Sequence, residues 1–191
     1  NNYGGVLQSV ALYNVVKELG YDIEIINYIP KSYKPYNIVE SLGIRKNIFR
    51  NKLRDLNIIN ISKKIKIINQ YCESIINKFD IYREKKVNLS KRVDEDSVVP
   101  ILNNYSTIIV GSDQVWNPSQ RRNPIYFLNF GEKYKGKKIS YAADSTTKDV
   151  NEEDLKELRI ALNDFQHISV RNEHSFEFVR TIINKDAEIV A

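Results

Sequence analysis

The apolar positions of this chain change period as it runs, and the changes mark out its elements. Leu12, Val15, Val16 and Leu19 recur at helical spacing, and Gly20 stands where a helix-ending glycine belongs. Ile23-Glu24-Ile25-Ile26 then reads as a strand ending near Tyr28 and Pro30. Residues 30–60 mix Pro, Tyr, Asn and Lys with short apolar runs, which predicts loops and one helix near Ile44–Leu56. From Ile61 the pattern sharpens. Ile61, Ile65, Ile68, Cys72, Ile75 and Phe79 step by four and three, a continuous helical stripe, with Lys63, Lys64, Lys66 and Lys78 off it. A membrane-surface helix has such a basic back. So does any core-facing helix with a wet outer side, which is the simpler reading.

Further on the period shortens. Ser106–Val110 is a β-branched apolar run, as in a strand buried on both faces. Tyr126–Leu128, Lys138–Ala143 and His167–Arg171 read as further strands, and Glu188–Ala191 as the start of another. Asn151 is placed to cap a helix with Glu152, Glu153 and Asp154 in its first turn, where carboxylates suit the helix dipole. Leu155, Leu158, Leu162 and Phe165 form its apolar face, and Phe176, Val179 and Ile183 mark another helix. Strands alternating with helices predict an α/β fold with a doubly wound, mostly parallel sheet. Such sheets bind ligands beyond the carboxyl ends of their strands. The opening Asn1–Gly5 is loop-like and leads into a helix and then a strand, which reads as a βαβ unit cut at its first turn.

Composition narrows the classes. The chain has 191 residues, 42% hydrophobic and 28% charged, enough for one sizeable core. No apolar stretch approaches the ~20 residues of a membrane span, and the opening residues lack the basic start and apolar run of a signal peptide. There is no methionine, so the chain reads as part of a longer protein. A single cysteine, Cys72, excludes an internal disulfide or a Cys-based zinc site, and two histidines, His167 and His174, are too few for a His-rich metal centre. A cytoplasmic setting is the default. The net charge of +5 suits an anionic substrate, an anionic membrane surface or nucleic acid, and equally a merely solvated basic surface, which is the simpler reading. No basic cluster is interleaved with aromatics in a nucleic-acid module, so no nucleic-acid partner is expected.

Three loops come after strands, or an inferred strand, and point to one sheet edge. In Asn1–Gly5, adjacent Gly4 and Gly5 let backbone approach a ligand, and the next helix offers free N–H groups; a plain tight turn explains the same residues. In Gly111-Ser-Asp-Gln-Val-Trp-Asn117, Gly111 lets the chain turn off the strand, and Ser112, Asp113, Gln114 and Asn117 crowd hydrogen-bonding groups together. Trp116 has a ring face suited to stacking on a sugar, and Asp113 can accept from a sugar hydroxyl or act as a base. Equally, Ser112 and Asp113 can cap a turn while Trp116 packs inward. In Tyr141–Thr147, Asp144 and Ser145 read first as turn formers. Arg171, at a strand end, is placed to bind an anion or to pair with Glu173; His174 reads as a surface residue.

Taken as a set, these motifs resemble the polysaccharide pyruvyl transferase family. Asn2-Tyr3-Gly4-Gly5-Val6-Leu7-Gln8 with Leu19-Gly20-Tyr21 resembles the family's opening, and Gly111–Asn117 its most recognisable internal motif. Ile139-Ser-Tyr-Ala-Ala143 and Ile168-Ser-Val-Arg171 are similar to its later strands, in order. Asp144, Ser145 and Thr146 depart from the Ser, aromatic and Gly common at that place in the family. The resemblance implies a transferase moving the enolpyruvyl unit of phosphoenolpyruvate onto a sugar as a pyruvate ketal. It implies no further cofactor and no metal. The partners it implies are a glycan or lipid-linked sugar acceptor, with room for peripheral membrane association. It implies a Rossmann-like half of a GT-B-like two-domain enzyme: residues 1–165 as the N-terminal domain, with a helical insertion at about 40–90, and 166–191 as the crossing to a second. The donor-binding Arg and His would lie mainly in the C-terminal half. The N-terminal loops would hold the acceptor through Asn2, Tyr3, Gly4, Gly5, Gln8, Ser112, Gln114, Trp116, Asn117 and Arg171, with Asp113 as the candidate catalytic group. A nucleotide-sugar glycosyltransferase and a non-catalytic glycan-binding domain remain the alternatives.

Overall fold

The computed structural model describes residues 3–33, 58–117, 125–146, 150 and 152–190. The expected helix near Ile44–Leu56 and the cap Asn151 lie outside them. The chain divides into two compact units, Asn1–Arg92 and Val93–Ala191.

In the first unit, helix α1 spans Tyr3–Glu18 and helix α2 spans Ile58–Lys86. Gly4 and Gly5 are therefore inside the first turn of α1, not in a loop before it. Val10 and Tyr13 are the buried contacts of α1; together with Val87 they form a small core, edged by Ile23, Ile25 and Leu89. Val15 and Leu19, read as part of the apolar repeat, are 53% and 69% exposed. The helix ends as its glycine predicts. Gly20 takes φ +89°, its N–H donates to the Lys17 carbonyl, and the Tyr21 N–H donates to Val16. The strand expected over Ile23–Ile26 contracts to one parallel bridge, Ile25 opposite Leu89. It is held by Ile25 N–H to the Asn88 carbonyl (2.8 Å), Ser90 N–H to the Ile25 carbonyl (3.0 Å) and Asn27 N–H to Ser90 Oγ (2.9 Å). On α2, Phe79 is buried and Ile68 is 39% exposed. The side chains of Ile61, Ile65, Cys72 and Ile75 lie outside the described residues.

The second unit carries the sheet. Helix α3 (Val98–Leu102) buries Val98, Ile101 and Leu102 and leads into strand β1 (Thr107–Asp113). Strand β2 spans Lys137–Ala143, helix α4 Glu152–Asn163, strand β3 His167–Val170, helix α5 Glu173–Ile183 and strand β4 Glu188–Ile189. The strands lie in the order β1-β2-β3-β4, all parallel, so this is an α/β fold, consistent with a Rossmann-like half. Strands that step one way through right-handed crossovers carry their helices on one face, and α4 and α5 do pack together. Among the described residues the winding has this single direction. In β1, Ile108 and Val110 are buried while Ile109 is only partly so.

Tyr126–Leu128 is a turn, not the expected strand. Leu128 has φ +47°, and its N–H reaches back to the Ile125 carbonyl. The apolar run is real, since Phe127 and Leu128 are both 3% exposed, but a buried turn has the same composition as a short strand. A second departure from regularity lies inside the sheet. Ser140 stands opposite Ile168, yet Ala143 stands opposite Val170, so β2 carries one extra residue. Ala142 takes φ +48° there. Two buried serines repair the ladder: Ser169 N–H donates to Ser140 Oγ (3.1 Å), Ser140 Oγ–H to the Ser169 carbonyl (3.0 Å), and Ser169 Oγ–H to the Ser140 carbonyl (2.9 Å). Lys138, 2% exposed, is paired with Asp164 at the end of α4.

Helix α5 is specified at both ends. Asn172 caps it by accepting from the Ser175 N–H (2.9 Å), and Asn184 stops it in the left-handed region at φ +51°. Between them Phe178, Val179, Ile182 and Ile183 form the buried face. Arg159 of α4 donates through Nε to the Ile182 carbonyl near its end (2.9 Å).

Gly111 and Gly20 separate two costs of a side chain. At Gly20 an added Cβ meets nothing, so Gly20→Ala carries backbone strain alone, about 1–2 kcal/mol. At Gly111, with φ +125°, the Cβ would fall 2.0 Å from the Tyr141 carbonyl oxygen. Gly111→Ala should therefore cost about 3–5 kcal/mol, strain plus overpacking. Urea unfolding of the two variants checks the difference; equal costs would contradict the close approach of β1 and β2.

Candidate functional site

The loop that leaves β1 is built around a residue that points inward. Trp116 is 0% exposed. Its ring stacks beside Phe127 (centroids 6.3 Å apart) and meets Phe165 edge-on (5.9 Å). Its Nε1–H donates to the Tyr126 carbonyl (3.1 Å), so the one polar atom of the indole is satisfied inside. The sugar-stacking role expected of Trp116 is therefore corrected: no ring face is open to a ligand. The indole is the loop's anchor. Burial also raises the Tyr126 phenol above its usual range, so that phenol stays neutral at physiological pH.

What the anchor presents to solvent is Asp113. Its φ of +102° is unusual for a residue with a Cβ. Two amides hold its carbonyl, from Val115 (2.7 Å) and Asp144 (3.0 Å). Its carboxylate faces outward, with Oδ1 3.7 Å from Nη1 of Arg171; the two side chains are 40% and 42% exposed. At that distance and exposure the pair is worth about 0–1 kcal/mol. Trp116 burial, at about 3–5 kcal/mol by truncation, dominates the loop's stability. The carboxylate and guanidinium are thus held near each other mainly by their backbones, and both remain open to a ligand. Arg171 meets Asp113 rather than the expected alternative, Glu173. Its N–H donates to the Ala143 carbonyl (3.1 Å), which places it at the carboxyl end of β3.

A third strand end joins these two. Asp144 comes directly after β2; its carbonyl accepts from the Trp116 N–H (3.0 Å). Its Oδ1 accepts from Ser175 Oγ–H (2.7 Å) and from Asn172 Nδ2–H (3.2 Å). Ser175, fully buried, accepts in turn from the Ser145 N–H (3.0 Å). Asn172 and Ser175 do not stand out in the sequence, although an asparagine opening a helical run is the readable sign of a cap. Asp144 is more than the turn former its sequence position suggests.

Of the residues expected to bind substrate, Asp113 and Arg171 are brought together in the second unit. Ser112 is partly buried in the same turn, Gln114 is exposed, and Asn117 N–H donates back to the Gln114 carbonyl (3.3 Å). Tyr3, Gly4, Gly5 and Gln8 lie on α1 of the first unit. Asn2 lies outside the described residues. His174, read as a surface residue, has a buried Nε2 with no hydrogen-bond partner. Among the described residues no group of three His, Cys, Asp or Glu side chains could hold a metal ion.

The exposed Asp113–Arg171 ion pair lies at the carboxyl edge of a parallel sheet, the edge at which open α/β sheets bind their ligands. The family model for polysaccharide pyruvyl transferase matches residues 2–191, and the chain belongs to that family. No curated protein and no solved structure matches the chain. No helix among the described residues is long and apolar enough to cross a membrane.

Trp116 is the chain's single tryptophan, so fluorescence reports on it alone. Its emission should be that of a buried indole, with iodide quenching far below that of free tryptophan. Trp116→Ala should cost about 3–5 kcal/mol in urea unfolding, and Trp116→Phe clearly less. Easy quenching together with an unchanged unfolding midpoint for Trp116→Ala would place the ring outside the core.

Proposed function

We propose that this chain is the acceptor-side, Rossmann-like half of a GT-B-like enzyme that transfers the enolpyruvyl unit of phosphoenolpyruvate to a cell-surface polysaccharide or its lipid-linked precursor. Family membership supports the transferase class. The observation that carries the residue assignment is the solvent-open Asp113–Arg171 pair at the carboxyl ends of β1 and β3.

The chemistry balances in two additions. One sugar hydroxyl adds to the phosphate-bearing carbon of phosphoenolpyruvate while a proton reaches the methylene carbon, making a methyl group. A second hydroxyl of the same sugar then displaces phosphate, which leaves carrying the remaining proton. The product is a pyruvate ketal on two hydroxyls. In this reading Asp113 accepts from the sugar hydroxyl and orients it, and Arg171 donates to an oxygen of the same acceptor. Gln114 and the turn around Ser112 and Asn117 complete the acceptor contacts of the second unit. The donor's carboxylate and phosphate are assigned to cationic residues of the other half of such an enzyme. The reaction is placed in the cytoplasm, where phosphoenolpyruvate is made.

The test is phosphate release from phosphoenolpyruvate by the intact protein. Methyl glycosides of glucose, galactose, mannose and N-acetylglucosamine, each with a free 4,6-diol, serve as acceptors. Asp113→Asn should lower kcat/KM for the acceptor about 10–100-fold, the worth of one hydrogen bond to a charged group, with the KM for phosphoenolpyruvate within twofold. No phosphate release with any acceptor, together with saturable binding of a nucleotide sugar, would replace this reading with a glycosyltransferase.

A further inference from the structure

We infer that Asp144 is a positioning residue, which sets the start of α5, and with it Arg171, in register with the Asp113 turn. The role rests on the reading of Asp113 and Arg171 as acceptor-binding groups. It does not require Asp144 to touch substrate.

Two sets of bonds meet in this one residue. Its main chain clasps the β1 loop from both sides, with N–H to the Asp113 carbonyl and carbonyl to the Trp116 N–H, each 3.0 Å. Any residue could make those two bonds. Its carboxylate faces the other way and takes both side-chain donors of the α5 entry, Ser175 Oγ–H at 2.7 Å and Asn172 Nδ2–H at 3.2 Å. Arg171 is the residue directly before Asn172, and its own amide is tied to Ala143, directly before Asp144. The guanidinium and the Asp113 carboxylate are therefore referenced to one Cα. Because the direct Asp113–Arg171 contact is long and half-exposed, that common reference sets their spacing more than their mutual attraction does.

The donors also fix what the side chain must supply. A hydroxyl and an amide both need an acceptor oxygen. Ser175 is fully buried and already accepts from the Ser145 N–H, so its O–H has no solvent alternative. Asparagine retains an acceptor oxygen at this place, and alanine supplies none. A group acting directly on substrate through its negative charge would lose as much in Asp144→Asn as in Asp144→Ala. A positioning group would not.

The experiment compares Asp144→Ala and Asp144→Asn in the intact protein by two readouts. In the phosphate-release assay with the same methyl glycosides, Asp144→Ala should raise the acceptor KM tenfold or more with the phosphoenolpyruvate KM within twofold. Asp144→Asn should lie within threefold of the parent in both. By hydrogen–deuterium exchange, Asp144→Ala should lose protection at residues 113–117 and 172–176 together, while 137–141 stay protected and Asp144→Asn matches the parent. Unchanged exchange and kinetics in Asp144→Ala overturns the inference, as does Asp144→Asn failing equally. So does loss of protection throughout the sheet, which would make the residue merely structural. If Asp144→Ala does not fold, Ser175→Ala, which removes one of the two donors, is judged by the same criteria. If the parent releases no phosphate with any glycoside, the functional reading fails and exchange alone decides the coupling.

Discussion

The Trp116 indole lies in the core between Phe127 and Phe165, with its N–H spent on the Tyr126 carbonyl, and the chain after β1 has to turn inward to bring it there. Most of the carboxyl edge results from that demand. Gly111 approaches the Tyr141 carbonyl closely enough to exclude a Cβ, and Asp113 adopts a positive φ. The inward turn leaves the Asp113 carboxylate outward, beside Arg171. The apolar anchor is thus the reason a polar group stands at the strand end.

The sheet supplies the second requirement, a fixed spacing between strand ends. The extra residue in β2 would break ladder bonds between β2 and β3. Ser140 and Ser169 take up those donors and acceptors in the interior, four side-chain bonds in place of main-chain ones, the fourth from the Ala142 N–H to Ser169 Oγ (3.3 Å). An irregularity maintained inside a sheet re-aims the residues next along the strand, and in β2 the residue re-aimed at the strand's exit is Asp144.

Much of this was legible in the sequence, for identifiable reasons. The runs Ser106–Val110, Lys138–Ala143 and His167–Arg171 are short and apolar between polar breaks, and they are the parallel strands. The repeat through Phe176, Val179 and Ile183 is helix α5, and Gly20 ends α1 as its position suggests. Where reading failed, composition was ambiguous. Tyr126–Leu128 is as apolar as a strand because it is a buried turn. Trp116 carries a ring that suits a sugar and a core equally, and only the partners of its N–H decide. Ile25 has a strand's neighbours but makes one bridge. Asp144 and Ser175 could not be paired from sequence, since nothing local links residues 31 apart.

That separation bears on how the edge comes into being. Asp144 reaches Asn172 and Ser175 across 28 and 31 positions of chain, a span containing α4 and β3. Its contacts form only after the intervening loop has been closed, and closure of a loop that long carries an entropic cost that local helix and turn contacts do not repay. The strand pairings span the same separations, Thr107 opposite Lys137 and Ile139 opposite His167, so the edge closes the same loops as the sheet. The groups that would meet a sugar are therefore a product of the whole topology rather than of any segment within it.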